Sequence, residues 1–303
     1  MTVRSVGTCF GFELEADEPI RLLRGGTGTP LHVSQEPTSD AAEGPPIAEW
    51  FPNDRNPIEA KLYEPSPHVF SLSIKGGGWY QIDTLGMKIS TPESPGNLAG
   101  AIRLLGLPLL LCCLARGDSS LHAAALQVGD RAILLAAPGK HGKTSLSASF
   151  VAQGHRLLTE DLSCLRVSSS KTELIPGPTG LRVREDMTDL LPLPGYEEVG
   201  KYDERVVLQP VSGVGDCTPV RIGAIVFLSD FEDTWKLTQL EVGDAVRDLW
   251  FLSFHLPTDA DRSRKFQALV DLAASVPVWR FVRPRDRTKL QENVDFLINE
   301  TLK

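Results

Sequence analysis

Four residues in one stretch have the types and order that move a phosphoryl group. They are Lys143 and Thr144, directly behind Gly142, and the adjacent acids Glu160 and Asp161, all within RAILLAAPGKHGKTSLSASFVAQGHRLLTEDL from Arg131 to Leu162. An ammonium at the first position suits the β- and γ-phosphates of a nucleotide, and a hydroxyl at the second suits Mg²⁺. Two neighbouring carboxylates can divide two tasks, one at a metal ion and one taking the proton of an attacking hydroxyl.

The elements that must position them can be read from the same stretch. Ile133 to Ala136 is a β-type apolar run, a turn with Gly139 and Gly142 follows, and a helix is predicted from about Lys143. A helix N-terminus presents unpaired N–H groups and a partial positive charge, so phosphate settles there readily. The candidate nucleotide contacts are Gly139, Lys140, His141, Gly142, Lys143, Thr144 and Ser145. Where the phosphate-loop pattern has its first glycine this chain has Ala137, followed by Pro138, which lacks an N–H and has a fixed φ. The turn must therefore curve on Gly139 and Gly142. Leu146, Phe150 and Val151 form the helix's apolar face and Gly154 ends it. A second strand, Arg156 to Leu158, then delivers Glu160 and Asp161 at its C-terminal end, the edge where open α/β sheets bind ligands. Alternation along an extended chain should point the two acids in different directions. The plain alternative is an ordinary strand-to-helix turn with a surface lysine and a solvated acidic loop.

The longer series Leu121 to Leu165, LHAAALQVGDRAILLAAPGKHGKTSLSASFVAQGHRLLTEDLSCL, resembles the HPr kinase/phosphorylase superfamily of serine kinases. It resembles in particular the small stand-alone relatives found with ribosomally made peptides such as lasso peptides. Leu121-His122-Ala123 matches the family phrase ahead of the phosphate loop, and Gly154-His155-Arg156-Leu157 with Glu160-Asp161 matches the phrase after it. The resemblance implies an α/β P-loop kinase core with a mixed sheet flanked by helices, ATP and Mg²⁺ as cofactors, and a serine hydroxyl as acceptor. It also implies a catalytic set of Glu160, Asp161, His122 and Lys143: Glu160 as base, Asp161 with Thr144 at the metal, and His122 orienting the acids. Glu160 stands where the family usually has Asp, so its backbone must sit back by one methylene for the same chemistry. His122 could equally be a satisfied core histidine. His155 reads as structural, and His141 can touch phosphate without being required.

Composition narrows the rest. The chain has 303 residues, enough for two modest domains or one large one, with 42% hydrophobic and 23% charged residues. A net charge of −8 argues against nucleic acid and anionic membrane as partners. Five cysteines, with no Cys-x-x-Cys pair, read as reduced thiols in a cytoplasmic protein and offer no zinc site. No signal-like apolar core precedes Phe10. The run Leu104 to Leu114 contains Pro108 and is half the roughly 20 residues a membrane span needs, so a buried helix is expected.

Residues 1–115 read as a β-rich module with a connecting helix near 98–115, and residues 116–303 as the kinase-like core. Strands are expected at Thr8 to Leu14, Lys61 to Tyr63, Val69 to Ile74, Trp79 to Ile82 and Met87 to Ile89. Gly25 to Asn56 reads as a long loop. Gly129-Asp130 marks a hairpin between Leu121–Val128 and Arg131–Ala136, which makes the core sheet mixed. Arg182 and Arg184, after Pro176-Gly177-Pro178, read as solvent-facing strand residues outside the site, although guanidinium suits phosphate. The stretch Tyr196 to Asp216 reads as loop, with Lys201 and Arg205 as candidate cations over the nucleotide. The functional expectation is a kinase acting on a serine of a peptide or protein, with no nucleic acid or membrane partner and a homo-oligomer left open. A non-catalytic nucleotide-gated peptide-binding protein and a small-metabolite kinase are the alternatives.

Overall fold

The computed structural model of the chain describes residues 4–36, 44–51, 59–139, 141–168, 171–212, 214–256 and 258–302. Eight strands come first: β1 (Arg4–Cys9), β2 (Phe12–Ala16), β3 (Thr29–Gln35), β4 (Ala48–Trp50), β5 (Ala60–Ser66), β6 (Val69–Ile74), β7 (Gly78–Asp83) and β8 (Lys88–Thr91). They form one sheet in the order β1-β2-β3-β8-β7-β6-β5-β4, parallel at β2–β3 and β3–β8 and antiparallel elsewhere. Phe12, Leu14, Leu31, Val33, Leu72, Tyr80, Ile82 and Ile89 alternate onto its buried face. The helices α1 (Leu98–Leu104) and α2 (Leu107–Arg116) cover that face with Ala101, Leu104, Leu109 and Cys112. Asn97 caps α1 by accepting from the Gly100 N–H at 2.6 Å, and Pro108 opens α2, so the apolar run Leu98–Arg116 is broken in the middle. That run is long and apolar enough to cross a bilayer by composition, and Pro108 through Leu114 are all buried within the fold.

Two expectations for this region need correction. The strand expected at Thr8 to Leu14 is divided between β1 and β2 by a turn at Phe10 and Gly11, both at positive φ. Within the expected loop Gly25 to Asn56, β3 lies between β2 and β8, because Leu31 and Val33 alternate onto the core among residues of poor strand propensity. Residues 37–43 and 52–58 of that loop lie outside the described residues.

The second half begins with β9 (Ser119–Leu121), β10 (Ala123–Val128), β11 (Arg131–Ala136), α3 (Lys143–Ala152), β12 (Arg156–Thr159), β13 (Ser163–Ser168) and β14 (Lys171–Ile175). A short segment with β15 (Leu181–Val183), α4 (Glu185–Thr188), β16 (Tyr196–Tyr202) and β17 (Arg205–Pro210) follows. The chain continues through β18 (Val220–Phe231), β19 (Lys236–Gln239), α5 (Val242–Phe251), α6 (Asp259–Ser275), β20 (Val278–Arg283) and α7 (Leu290–Thr301). The main sheet runs β12-β10-β11-β18-β14-β13-β9, with β20 beside β18 and β19 beside β20. It is mixed: β11–β18 and β18–β20 are parallel and β10–β11 is the expected hairpin, with Val128 opposite Arg131. The stretch read as loop, Tyr196 to Asp216, contains instead the β16–β17 hairpin, turned by Asp203 and Glu204 at positive φ.

A paired kink organises the site. β9 runs into β10 through His122, and β12 runs into β13 through residues 160–162. Leu121 pairs with Ser163 on one side of the kink, and Ala125 pairs with Thr159 on the other. Each strand therefore bends where the other bends, which sets His122 opposite Glu160 and Asp161.

The first sheet is tied to the second half through its backbone. The Phe10 N–H donates to the Pro176 carbonyl at 2.9 Å, and the Thr179 N–H donates to Leu22 at 3.0 Å. Arg24, buried, donates to the carbonyls of Leu157, Leu158, Gly177 and Val214 at 2.6 to 2.9 Å. Two of those acceptors belong to β12, just ahead of the acids. Burial, then the neighbouring Arg156, lowers the Arg24 guanidinium to about 10, so it stays charged at neutral pH. Replacing Arg24 with Met removes one donor from each of these carbonyls, although Leu158 still accepts from the Gly177 N–H and Val214 from Arg156 Nε. The unfolding free energy should fall by about 3 kcal/mol or more, read as a lower urea midpoint at unchanged m value.

Candidate functional site

The helix α3 starts where the sequence places it because Gly142 adopts φ +77°, a left-handed conformation that an L side chain rarely takes. Ala137, the residue in the first-glycine position, is fully buried at the end of β11. Gly139 lends its carbonyl to the His141 ring, 2.9 Å from Nδ1, and Ser145 sits half-buried in the helix's first turn. Lys140 lies outside the described residues.

The residues expected to act together do meet. Lys143 is 8% exposed; its Nζ lies 2.8 Å from His122 Nε2 and 3.4 Å from Asp161 Oδ1. The Thr144 hydroxyl donates to Glu160 Oε1 at 2.8 Å. The sequence reading paired Thr144 with Asp161; the structure pairs it with Glu160, whose extra methylene lets a 5%-exposed carboxylate reach the first turn of α3. Asp161 turns toward Lys143 and His122 Nδ1, 3.4 Å from its Oδ1. A charged Lys143 can only donate, so His122 Nε2 accepts and the ring proton sits on Nδ1, facing Asp161. The backbone N–H of His122 donates to the Leu252 carbonyl at 2.8 Å, which anchors the kink to the end of α5.

Arg182, expected to face solvent outside the site, instead completes the cluster. Its Nε donates to Glu160 Oε2 at 2.8 Å and its Nη2 lies 3.1 Å from Asp161 Oδ2. Alternation in β15 buries Leu181 and Val183 in the core with Leu146 and Phe150 of α3 and turns Arg182 to the other face. The apolar–basic alternation Leu-Arg-Val-Arg was visible in the sequence, but it applies equally to Arg184, which is exposed and pairs with Asp186.

The electrostatics follow from this packing. Burial alone would raise the Asp161 carboxyl, but Lys143, Arg182 and His122 together hold it well below the usual carboxylate range. Burial lowers Lys143 and His122, although both acids oppose the shift at Lys143. Arg182 is raised, because Glu160 and Asp161 outweigh its desolvation.

Other candidates fall outside the cluster. Lys201 is exposed and pairs with Glu185, and Arg205 is exposed at the end of the β16–β17 hairpin; both belong to an ordered hairpin rather than to a loop over the helix start. His155 packs its ring against Phe150. Cys113, Asp118 and Cys164, at spacings that suggest no metal site, bring their ligating atoms within 4.8 Å. Arg116 and Arg166 already neutralise Asp118, and burial pushes the Cys164 thiol well up, so this set suits a buried ionic contact better than a cation. Cavities of about 610 and 540 Å³ lie where the first sheet meets the second half, and none of Lys143, Thr144, Glu160, Asp161, His122 and Arg182 lines either.

Removing Arg182 leaves two carboxylates facing one lysine, one of them almost wholly buried. Arg182→Met should cost about 2 to 3 kcal/mol in urea unfolding at pH 7 without nucleotide. Arg182→Lys should recover less than half of that, because an ammonium lacks the fork that spans both acids.

No protein-family model matches the sequence, and no curated protein matches it. Among solved structures, the Hpr(Ser) kinase/phosphatase from Coxiella burnetii is similar over 59% of this chain and 93% of that chain, at 10% identity and a TM-score of 0.30.

Proposed function

We propose that the chain is an ATP-dependent kinase that moves the γ-phosphoryl group to a serine hydroxyl of a peptide or protein. The observation that carries this reading is the convergence of Lys143 and Thr144, at the start of α3, with Glu160, Asp161, His122 and Arg182. A lysine and a hydroxyl at a helix N-terminus beside two acids is the arrangement that phosphoryl transfer uses for binding and charge stabilisation.

The donor set fits Mg²⁺. Thr144 Oγ1 and Glu160 Oε1 are hard oxygen donors 2.8 Å apart at the start of α3. Bound there, the ion would neutralise charge on the β- and γ-phosphate oxygens. This would exchange the roles first given to the acids: Glu160 would hold the metal with Thr144, and Asp161, with its side chain 39% exposed, would meet the acceptor.

The remaining steps belong to the chain's own groups. Lys143 exchanges its contacts with His122 and Asp161 for the nucleotide phosphates. As that cation leaves, the Asp161 carboxylate gains proton affinity and accepts the hydrogen of the incoming hydroxyl. The acceptor oxygen bonds to the γ-phosphorus, the bond from that phosphorus to the β-bridging oxygen breaks, the hydroxyl proton passes to Asp161 and ADP departs. The Nδ1–H of His122 holds Asp161 in place, and Arg182 keeps the two carboxylates from repelling one another. Serine as the acceptor is supported by the resemblance of Leu121 to Leu165 and by the exposure of Asp161.

Transfer from γ-labelled ATP to serine-containing peptides, including any short precursor peptide encoded beside the gene, tests the reading. Asp161→Asn should lower kcat by roughly 10² to 10⁴ while nucleotide affinity stays within about threefold. Glu160→Gln should instead raise the Mg²⁺ concentration needed for half-maximal rate. Near-normal transfer by Asp161→Asn would return the base role to Glu160. Nucleotide binding without phosphorylation of any peptide, protein or small hydroxyl compound would support a binding protein in place of a kinase.

A further inference from the structure

Arg283, the last residue of β20, lies at the same edge of the sheet as the turn before α3, since β11, β18 and β20 run parallel and Phe231 pairs with Arg283. It is 2% exposed. Its Nη2 donates to the His141 carbonyl inside the glycine turn, and a Cβ at Gly142 would come within 3.0 Å of the same nitrogen. Its Nη1 is buried with no hydrogen-bond partner, and no carboxylate pairs with it among the described residues. The guanidinium lies over the Phe231 ring, 4.8 Å from its centroid, with Phe281 at 5.8 Å. Burial lowers it to about 10, so it remains a cation at neutral pH.

Two consequences follow from elementary geometry and electrostatics. A trans peptide holds its C=O and N–H on opposite sides. With the His141 carbonyl held by Arg283 beneath the turn, the Gly142 N–H of the same peptide must point the other way, to the side where a phosphate would sit. A buried cation without a counter-ion is also costly, and an anion across a thin turn offsets part of that cost. Each asks for a negative ligand on the outer side of the turn.

Resting on the nucleotide reading above, we propose that Arg283 is a positioning residue for polyphosphate: it orients the Gly142 amide outward and supplies from behind the turn a positive charge that the bound phosphates balance. It touches no phosphate itself. Lysine in its place keeps the charge but not the fork, and methionine keeps only the apolar stem.

Calorimetric titration of the full chain with inorganic tripolyphosphate and with Mg·ATP, alongside melting temperature without ligand, tests this. Arg283→Met should weaken tripolyphosphate binding at least about tenfold while the ligand-free melting temperature holds or rises, because an unpaired buried charge has been removed. Arg283→Lys should fall between. A purely packing role predicts the reverse, a lower melting temperature with unchanged affinity, and overturns the proposal. If Arg283→Met does not fold, Arg283→Lys decides: wild-type affinity for tripolyphosphate overturns the assignment, and a loss of about threefold or more supports it. Failure of the wild-type chain to bind either probe would overturn the nucleotide reading and this inference with it, whereas wild-type binding with unaffected variants overturns this inference alone.

Discussion

Lys143 and Arg182 on one side and Glu160 and Asp161 on the other form a neutral group of four charges at the edge of the main sheet. None of the four could be withdrawn from water alone at acceptable cost, since a buried ion is tolerated only with close partners and satisfied hydrogen bonds. The charges arrive on three separate pieces of the fold: the start of α3, the small strand β15, and the kink between β12 and β13. Their mutual compensation holds these pieces together and decides what the site can exchange. In the proposed function, a nucleotide would bring its own negative charge to Lys143 and free Asp161 from a cation that suppresses its proton affinity.

The kink that carries the acids is held from both sides. The Ser163 hydroxyl donates to the Ala123 carbonyl at 3.0 Å, and the Thr159 hydroxyl donates to Leu162 at 2.6 Å, closing the bend around Glu160 and Asp161. Arg24 reaches from the first sheet to the carbonyls of Leu157 and Leu158 immediately upstream. The β-rich half is thereby part of the scaffold of the site. Cys164, Ile175 and Val207 pack into the same core as the strands β2, β3 and β6 to β8, so the two halves share apolar surface as well as hydrogen bonds.

The turn before α3 shows how a departure from a motif is accommodated. Ala137 is buried and Pro138 can donate nothing, so conformational freedom is concentrated at Gly142, and the peptide ahead of it is held from below by Arg283.

The sequence by itself determined the strand, turn and helix around Lys143, the hairpin at Gly129-Asp130, the buried apolar run near Leu109, and the placing of Glu160 and Asp161 at a strand end, whereas His122 was joined to them only by the family resemblance. These rest on local signals: apolar periodicity, glycine at positive φ, and acids placed at a strand's C-terminal end. It did not determine β3, the β16–β17 hairpin, which acid meets Thr144, or the place of Arg182 and Arg283. Strand β3 holds through neighbours remote in sequence, and Lys201 and Arg205 read as loop cations because the pairing that orders them is likewise non-local. Arg182 and Arg184 have the same local pattern, and only the position of β15 over α3 makes one a buried partner of two carboxylates and the other a surface ion. Side-chain reach in a crowded charged site depends on backbone separations of an ångström or so, and those are set by how the elements pack.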